Sequence, residues 1–295
     1  MKLSRKSSIL IYLFFIVFCI FCIIPLLLII SISFSDETEI VKHGFRLIPF
    51  KFSLSAYELI FKNPFQMLNA YKISIIVTLC GTVAGLLVSS MLAYALSRSA
   101  FKYRNLISFY LFFTMLFSGG LVPYYILITH YLGMGDKVSV LILPYLVNAF
   151  YIFILRTSFK KIPESLIESA KIDGATEYRI YIQIIMPLST PVLATIGLFI
   201  ALNYWNDWWL SLLFINKSRL YPLQMLLKIL MDNIDAITAD LSSRMAVEML
   251  KQTQKMPRES IRMAMCIIAI GPIMLLFPFL QKYFVSGLTI GAVKG

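Results

Sequence analysis

Long apolar runs alternate with short polar segments along the whole chain, and this pattern predicts membrane-spanning helices. A helix needs about 20 consecutive apolar residues to cross the hydrocarbon core of a bilayer. Six runs approach or exceed that length, and the fourth and the sixth are the shortest. They cover residues 8–34, 73–96, 106–128, 138–155, 188–215 and 261–279. We therefore expect an all-α polytopic membrane protein with a single transmembrane domain over residues 1–295.

The amino-acid composition supports this prediction. The 295 residues are 59% hydrophobic and 14% charged, whereas an ordinary soluble domain has roughly 25% charged residues. The first apolar run follows Lys2, Arg5 and Lys6, as in a secretory signal. However, the run is long, contains Pro25 and ends without a small-residue cleavage site, so we interpret it as a retained span.

The distribution of lysine and arginine predicts the orientation. Six spans place both termini on one side, together with residues 98–104 and 156–187. That side has 13 Lys/Arg and 4 Asp/Glu, and the other side has 14 and 11. Because Lys and Arg accumulate on the cytoplasmic side, we expect both termini to be cytoplasmic. The net charge of +12 then reflects membrane insertion rather than nucleic-acid binding, since no basic patch with interleaved aromatics occurs in a soluble segment.

The sequence lacks the residues that several kinds of chemistry require. It contains no G-x-x-x-x-G-K-[ST] loop for nucleotide phosphates, so we expect no ATP hydrolysis by the chain itself. Its two histidines form no H-E-x-x-H motif, its four cysteines all fall within apolar runs, and no metal site or resident cofactor is expected. A membrane-embedded enzyme is the less favoured class, because it requires paired ionisable groups within spans and the spans contain chiefly Asp207.

A helical pattern also occurs in residues 160–187, between the fourth and fifth spans; we call this segment the elbow. Pro163 suits the first position of a helix. Leu166, Ile167, Ala170 and Gly174 follow at spacings of three and four or near them, which predicts a short helix with a small, mildly apolar face. Charged side chains occupy its other side.

The remainder of the elbow predicts a second helix. Gly174 can adopt the left-handed conformation that ends a helix, and Thr176 can cap the next one. Tyr178, Tyr181, Ile182 and Ile185 would then share one face. Pro187 lacks a backbone donor, so we expect this helix to end or kink where the fifth span begins. From the residues alone, the elbow is an amphipathic connection between two spans.

The stretch ESAKIDGATEYRIYIQIIMPLSTP, residues 168–191, resembles the E-A-A-x-x-D-G-A … I-x-L-P-L-x-x-P signature of permease subunits of ATP-binding-cassette (ABC) importers. Ser169 and Met186 are mild departures from it. The resemblance extends over nearly the whole chain: FSGGLVPYYIL, YWNDWW and QKYFVSGLTIGAVKG are similar to sugar-importer permeases of the maltose-transporter type. It is strongest for the branch that imports oligosaccharides or was named for lipoprotein-associated sugar uptake, in which lysine is common at the position of Ser286.

This resemblance implies a type I ABC importer permease with six transmembrane helices and a cytoplasmic coupling helix, in a bacterial cell membrane. Such a subunit pairs with a second homologous permease and forms half of the path for a carbohydrate, here an oligosaccharide. Two ATPase subunits bind ATP and Mg, and an extracytoplasmic solute-binding lipoprotein delivers the solute. A rigid second elbow helix would carry ATP-driven motion into the spans. The residues implied in coupling to the ATPase are Glu164, Glu168, Ala170, Asp173 and Gly174. The alternative is a related permease for a peptide, an amino acid or an anion.

Polar residues within the spans are candidates for the solute path. Asn203, Asn206 and Asp207 share a helical face near Trp205, and Asn148 lies in the fourth span. A charge at bilayer depth costs at least about 2.5 kcal/mol, so we expect Asp207 to face a wet cavity or the interface. Amide, carboxylate and aromatic groups suit the hydroxyl edges and apolar ring faces of sugars. An aromatic belt with interhelical hydrogen bonds explains the same residues equally well.

The long segment of residues 216–260 is predicted to lie outside the cell. Its LYPLQMLLKIL stretch places leucines on one face, which predicts an interfacial helix. The polar residues that follow either form a solvated loop or contact the binding protein.

Overall fold

The computed structural model describes residues 5–240 and 257–274, and these are helical apart from turns, loops and one isolated antiparallel bridge between Ser35 and Phe52. The chain divides into two compact units. The first contains the residues up to Met67 and the described part of Leu227–Met274. The second is formed by Leu68–Leu226.

The helices are named in chain order. They are α1 (Arg5–Ser33), α2 (Glu37–His43), α3 (Ser55–Ile60), α4 (Pro64–Ser97), α5 (Arg104–Leu116), α6 (Leu121–Ile126), α7 (Ser139–Ile142), α8 (Ala149–Phe159), α9 (Glu164–Ile172), α10 (Glu177–Ile180), α11 (Met186–Leu188), α12 (Thr190–Trp205), α13 (Trp209–Phe214), α14 (Leu223–Asp240) and α15 (258–274). Single π-helical turns follow α6 (Leu127–Tyr131) and α10 (Tyr181–Ile185). Short 3₁₀ turns follow α7 (Leu143–Tyr145) and α13 (Ser218–Leu220).

Two of the predicted spans are continuous helices long and apolar enough to cross a membrane. They are α1, over Ile9–Ser33, and α4, over Pro64–Ser97. The most apolar part of α1 has none of its residues buried within the chain. A helix that is hydrophobic on every side and exposed in this way is suited to lipid or to a partner helix, not to water.

The third and fourth predicted spans are bent, and the fifth meets the second helix of the elbow at a sharp bend. Arg104–Leu116 and Leu121–Tyr131 meet at 116°, Ser139–Tyr145 and Ala149–Phe159 at 50°, and Glu177–Leu188 and Thr190–Trp205 at 85°. With each bent pair taken as one span, the described residues contain up to five. The sixth predicted span corresponds to α15, and residues 275–279 of it lie outside the described residues.

A buried carboxylate organises the first unit. Glu37 accepts hydrogen bonds from the backbone N–H groups of Glu259 (2.9 Å) and Ser260 (3.1 Å) and from the Ser260 hydroxyl (3.0 Å). These N–H groups belong to the first turn of α15, where a helix has no internal acceptors for them. A negative charge is also favourable at a helix N-terminus. Glu37 therefore holds α2 against the start of α15.

The core of the second unit surrounds α8. Ile152, Leu155 and Phe159 are completely buried on one face of this helix. On the same helix, the Nε of Arg156 donates to the carbonyl oxygen of Leu96 at 3.1 Å. This carbonyl lies in the last turn of α4 and has no partner within its own helix. The contact therefore joins the ends of α4 and α8.

Close approach between α4 and α12 depends on Gly81. A Cβ built on Gly81 would lie 2.5 Å from ring carbons of Tyr204. The Tyr204 ring is buried, and its hydroxyl donates to the carbonyl oxygen of Ile142 at 2.8 Å. Gly85, one turn further along α4, has room for a Cβ, because the nearest atom would be in ordinary van der Waals contact at 3.5 Å.

We predict that Gly81→Ala displaces the Tyr204 ring and destabilises the folded protein by about 1–3 kcal/mol, as overpacking does in close-packed cores. The measurement is thermal unfolding of the purified protein in detergent. Gly85→Ala is the matched control and is expected to leave the melting temperature unchanged or slightly raised, since alanine favours helix. Equal melting temperatures for the two variants would contradict the proposed packing.

Candidate functional site

The elbow has the helix–turn–helix structure that its sequence predicts. Gly174 has φ +78°, so it adopts the left-handed conformation that ends α9. The Ala175 N–H donates to the Ala170 carbonyl at 2.9 Å across this turn. The Thr176 hydroxyl accepts from the Arg179 N–H at 3.4 Å and caps α10. The kink expected near Pro187 is the 85° bend between Glu177–Leu188 and Thr190–Trp205.

Most of the predicted coupling residues are exposed. They are Glu168, Asp173 and Gly174, together with Glu164, which also contacts the end of α4, whereas Ala170 is half-buried and packs against the core. A Cβ on Gly174 would meet no atom of the described chain within 4 Å. Within this chain, glycine at position 174 is therefore required by the backbone conformation and not by a close contact.

Apolar side chains are also exposed on the elbow surface, beside the carboxylates of Glu168 and Asp173. Ile172 is 86% exposed and Leu166 is 46% exposed, whereas Ile167 is 2% exposed. The periodicity predicts one face for Leu166 and Ile167, but only Ile167 packs into the core. Ile172 follows Glu168 by four residues, which predicts a position on the charged side of the helix, where an apolar residue is not expected. The surface thus combines exposed aliphatic groups with the negative charges of Glu168 and Asp173.

The inner side of the elbow is bound to α4 through polar contacts. The Ser99 hydroxyl donates to Glu164 at 3.1 Å, and the hydroxyl of Tyr94 donates to the carboxylate of Glu177. Glu177 also forms an ion pair with Lys171 at 2.6 Å. The sequence marks Glu177 only as an acidic residue in the first turn of a helix, and no sequence signal indicates its contact with α4.

Asp207 is held by two contacts at the end of the fifth predicted span. One carboxylate oxygen accepts from the Tyr145 hydroxyl at 2.9 Å, and the other accepts from the Leu210 N–H at 3.2 Å. Leu210 lies in the first turn of α13, so Asp207, just before the N-cap Trp208, accepts from an N–H group that has no partner within the helix. The carboxylate therefore joins the bent fourth span to the end of the fifth.

The other predicted path residues occupy different environments. The Asn148 side chain accepts from the N–H groups of Phe150 (3.0 Å) and Tyr151 (3.4 Å), and so caps α8. Trp205 is 7% exposed, and its burial places it within the packed interior of the chain. Asn203 is exposed on α12, and Asn206 is exposed at its C-terminal cap, where its amide nitrogen donates to the Leu202 carbonyl at 2.9 Å. The Asn203 amide and the amide oxygen of Asn206 are available to a solute or to a neighbouring subunit.

A groove of about 710 Å³ lies between α4 and the segment formed by α11 and α12. Its lining is mostly small or aliphatic, and none of the five predicted path residues belongs to it. The lining residues are Thr82, Leu86, Met186, Pro187, Thr190, Leu193, Ala194, Gly197, Leu198 and Ala201. In the described part of the chain, no group of three or more His, Cys, Asp or Glu side chains is placed to hold a metal ion.

The predicted outer segment is anchored where it leaves α13. Asp136 has φ +55°, and its carboxylate accepts from the N–H groups of Asn216 (2.6 Å) and Lys217 (3.2 Å). The hydrogen bond from Asn216 is the main cause that holds the pKa of Asp136 below its ordinary value. The expected interfacial helix corresponds to α14, which starts at Leu223. Residues 241–256, to which the predicted contact with a binding protein largely belongs, lie outside the described residues.

Comparison with known proteins yields relatives that match almost the whole chain. No family model matches it. The polygalacturonan/rhamnogalacturonan transport system permease protein YtcP of Bacillus subtilis is 38% identical over 99% of both chains. The protein LplC of the same organism is 40% identical over 92% of this chain and 89% of its own. The arabinooligosaccharides transport system permease protein AraQ of Halalkalibacterium halodurans is 30% identical over 92% and 91%.

The solved structures contain a similar fold. A chain of a bacterial ABC transporter involved in the import of the acidic polysaccharide alginate matches with a TM-score of 0.77 at 28% identity, over 96% of this chain and 99% of that one. The helical architecture, the elbow and the full-length similarity all agree with the resemblance carried by the ESAKIDGATEYRIYIQIIMPLSTP stretch. The chain therefore belongs to the family of permease proteins of carbohydrate ABC importers.

Proposed function

We propose that this chain is one of two transmembrane subunits of a bacterial ABC importer and forms half of the path for an oligosaccharide. Its partners are a second homologous permease, two ATP-binding subunits and an extracytoplasmic solute-binding lipoprotein. The observation that carries the proposal is the full-length similarity to permeases named for the transport of polygalacturonan, rhamnogalacturonan and arabinooligosaccharides. A permease for a peptide, an amino acid or an anion is less well supported by these relatives.

The elbow surface has the chemistry required to contact an ATP-binding subunit. Exposed Ile172 and Leu166 supply apolar area, and Glu168 and Asp173 supply charges for hydrogen bonds with basic partner residues, which are stronger than neutral ones. The chain itself has no phosphate-binding loop. ATP and Mg are therefore assigned to the partner subunits, and this chain supplies no hydrolytic group and no cofactor site.

This assignment also sets the orientation that we propose. ATP-binding subunits are cytosolic, so the elbow and both termini lie on the cytoplasmic side of six spans. The excess of Lys and Arg on that side supports the same orientation. The segment of residues 216–260 then faces outward, where a solute-binding protein delivers its ligand.

The solute path is assigned to the exposed polar face of α12. Asn203 and Asn206 present amide groups there, and amides can both donate to and accept from sugar hydroxyls. Asp207 and Asn148 accept from backbone N–H groups in the first turns of α13 and α8 and set the positions of these helices. They shape the path, and Trp205 packs behind it.

The substrate assignment predicts that deletion of this chain abolishes growth on, and uptake of, an oligosaccharide. The test panel consists of radiolabelled galacturonate oligomers, arabino-oligosaccharides, maltotriose, a tripeptide, an amino acid and phosphate. Loss of one oligosaccharide, restored by the gene in trans, supports the proposal. Unchanged uptake of all the glycans, with lost uptake of the peptide, amino acid or phosphate, would contradict it.

The docking assignment predicts that Glu168→Lys releases the ATP-binding subunits or uncouples their hydrolysis from transport, because it reverses a charge on the docking surface. Gly174→Leu is expected to act similarly, since a left-handed backbone costs a side-chain-bearing residue on the order of 1 kcal/mol or more. Co-purification and solute-stimulated hydrolysis in reconstituted vesicles measure both effects.

Permease abundance in the membrane is the control for both variants and is expected to remain at the wild-type level. If both variants show wild-type co-purification and hydrolysis, the elbow is only a connection between two spans. The excess of Lys and Arg would then be the remaining argument for its cytoplasmic location.

The path assignment predicts that Asn203→Ala lowers the maximal uptake rate by roughly tenfold at saturating binding protein, the factor expected for about one hydrogen bond. Asn203→Gln retains an amide and is the matched control, with a smaller loss. Both are measured as initial rates in vesicles at equal permease abundance. A wild-type rate for Asn203→Ala would exclude a contact between this side chain and the solute.

A further inference from the structure

The last turns of α4 hold both helices of the elbow. The Ser99 hydroxyl, just beyond the end of α4, donates to Glu164 at the start of α9 (3.1 Å). The Tyr94 hydroxyl donates to the carboxylate of Glu177 at the start of α10. One turn earlier, Ser90 and Tyr181 share a hydrogen bond of 2.7 Å between buried hydroxyls. Two contacts from the 34-residue helix α4, and one from just beyond its end, thus connect it to the elbow.

Glu177 is the junction of these elements. One of its carboxylate oxygens lies 2.6 Å from Nζ of Lys171, in the last turn of α9. The other accepts from Tyr94 on α4. Glu177 itself is the first residue of α10. Because hydrogen bonds to an ionised group are about twice as strong as neutral ones, this carboxylate couples the orientations of α4, α9 and α10.

Close packing is interrupted beside this junction. A cavity of about 440 Å³ opens next to Tyr94 and Glu177, with Ala95, Phe101 and Tyr178 among its walls. Beside this cavity, the elbow contacts α4 through the hydrogen bonds of Tyr94 and Ser90 and through the Tyr94 and Tyr181 rings, whose centroids are 5.5 Å apart. These contacts contribute to the relative position of the two elements.

Displacement of the elbow could also reach the fifth span through the second elbow helix, but this connection is not one continuous helix. Regular α-helix ends at Ile180, a π turn follows over Tyr181–Ile185, and the chain bends by 85° between Leu188 and Thr190. Such breaks absorb displacement as hinges do. In contrast, α4 is one continuous helix from Pro64 to Ser97. The rigid element that the elbow contacts is thus α4.

We infer that Tyr94 and Glu177 are positioning residues that transmit displacement of the elbow to α4. This inference rests on the proposed function, in which ATP-binding subunits move the elbow. The ATP-binding subunits displace α9 and α10 at the outer surface of the elbow. The hydrogen bond between Glu177 and the Tyr94 hydroxyl then transmits this displacement to α4, which moves along its whole length.

The test uses two conservative variants of the complete transporter in vesicles. Tyr94→Phe removes one hydroxyl and retains the ring, and Glu177→Gln retains the side-chain shape and removes its charge. The solute is the radiolabelled glycan that the deletion strain fails to take up. Each variant is expected to lower the amount of glycan moved per ATP hydrolysed by roughly tenfold, the factor that corresponds to loss of one charge-assisted hydrogen bond.

Two further measurements separate a positioning role from a merely structural one. The ATP-binding subunits are expected to co-purify in wild-type amounts, because neither variant changes Glu168, Asp173 or Ile172 on the proposed docking surface. The double variant is expected to lose no more coupling than the more affected single variant, since both changes weaken the same contact. Tyr178→Phe removes a hydroxyl from the neighbouring cavity wall and is expected to retain the wild-type ratio.

A wild-type ratio of glycan to ATP in both single variants would overturn the inference. So would equal losses in Tyr94→Phe and Tyr178→Phe, or additive losses in the double variant. If only this inference is wrong, the Glu168→Lys variant still loses its ATP-binding subunits or the coupling of their hydrolysis to transport. If Glu168→Lys also behaves as wild type, the proposed docking function has failed as well.

Discussion

Every break in a membrane-embedded helix frees backbone groups that the hydrocarbon core cannot hydrogen-bond, and the chain must supply their partners itself. The third and fourth predicted spans are broken in this way, and the fifth meets the elbow at a bend. Asn148 caps the helix after the break in the fourth span. Asp207 accepts from a backbone N–H of α13, after the fifth span, and Arg156 donates to a backbone carbonyl in the last turn of α4. Polar side chains thus supply partners for backbone groups at a bend and at helix ends.

This constraint changes the interpretation of polar residues in the apolar runs. A carboxylate or an amide at membrane depth is costly, and solute binding is one explanation for its presence. In this chain Asp207 and Asn148 satisfy backbone donors, and Asp207 also accepts from the Tyr145 hydroxyl. We therefore propose that their contribution to a translocation path is geometric. The amides of Asn203 and Asn206 have exposed positions and are the better candidates for direct contact with a sugar.

The elbow combines an open outer surface with a firmly held inner side. Ile172, Glu168 and Asp173 are exposed outward, and such a surface is suited to burial against another subunit. On the inner side, Glu164 and Glu177 accept hydrogen bonds from residues in or next to the last turns of α4. A segment with this structure can receive force on one face and deliver it from the other. An ATP-driven importer requires such an element, because its nucleotide sites and its solute path are in different subunits.

The sequence by itself determined the features that arise from neighbouring residues. Apolar run length predicted the helices of the spans, and Gly174, Thr176 and Pro187 predicted the end, the cap and the kink of the elbow. The signature in residues 168–191 indicated the family. Only the tertiary structure decided which face of each helix is buried, so that Ile167 packs inward while Leu166 is exposed. It also decided the bends and the pairing of Tyr94 with Glu177, 83 positions apart. Local periodicity reports which residues share a helix, but partners distant in sequence are selected by packing, which no local pattern encodes.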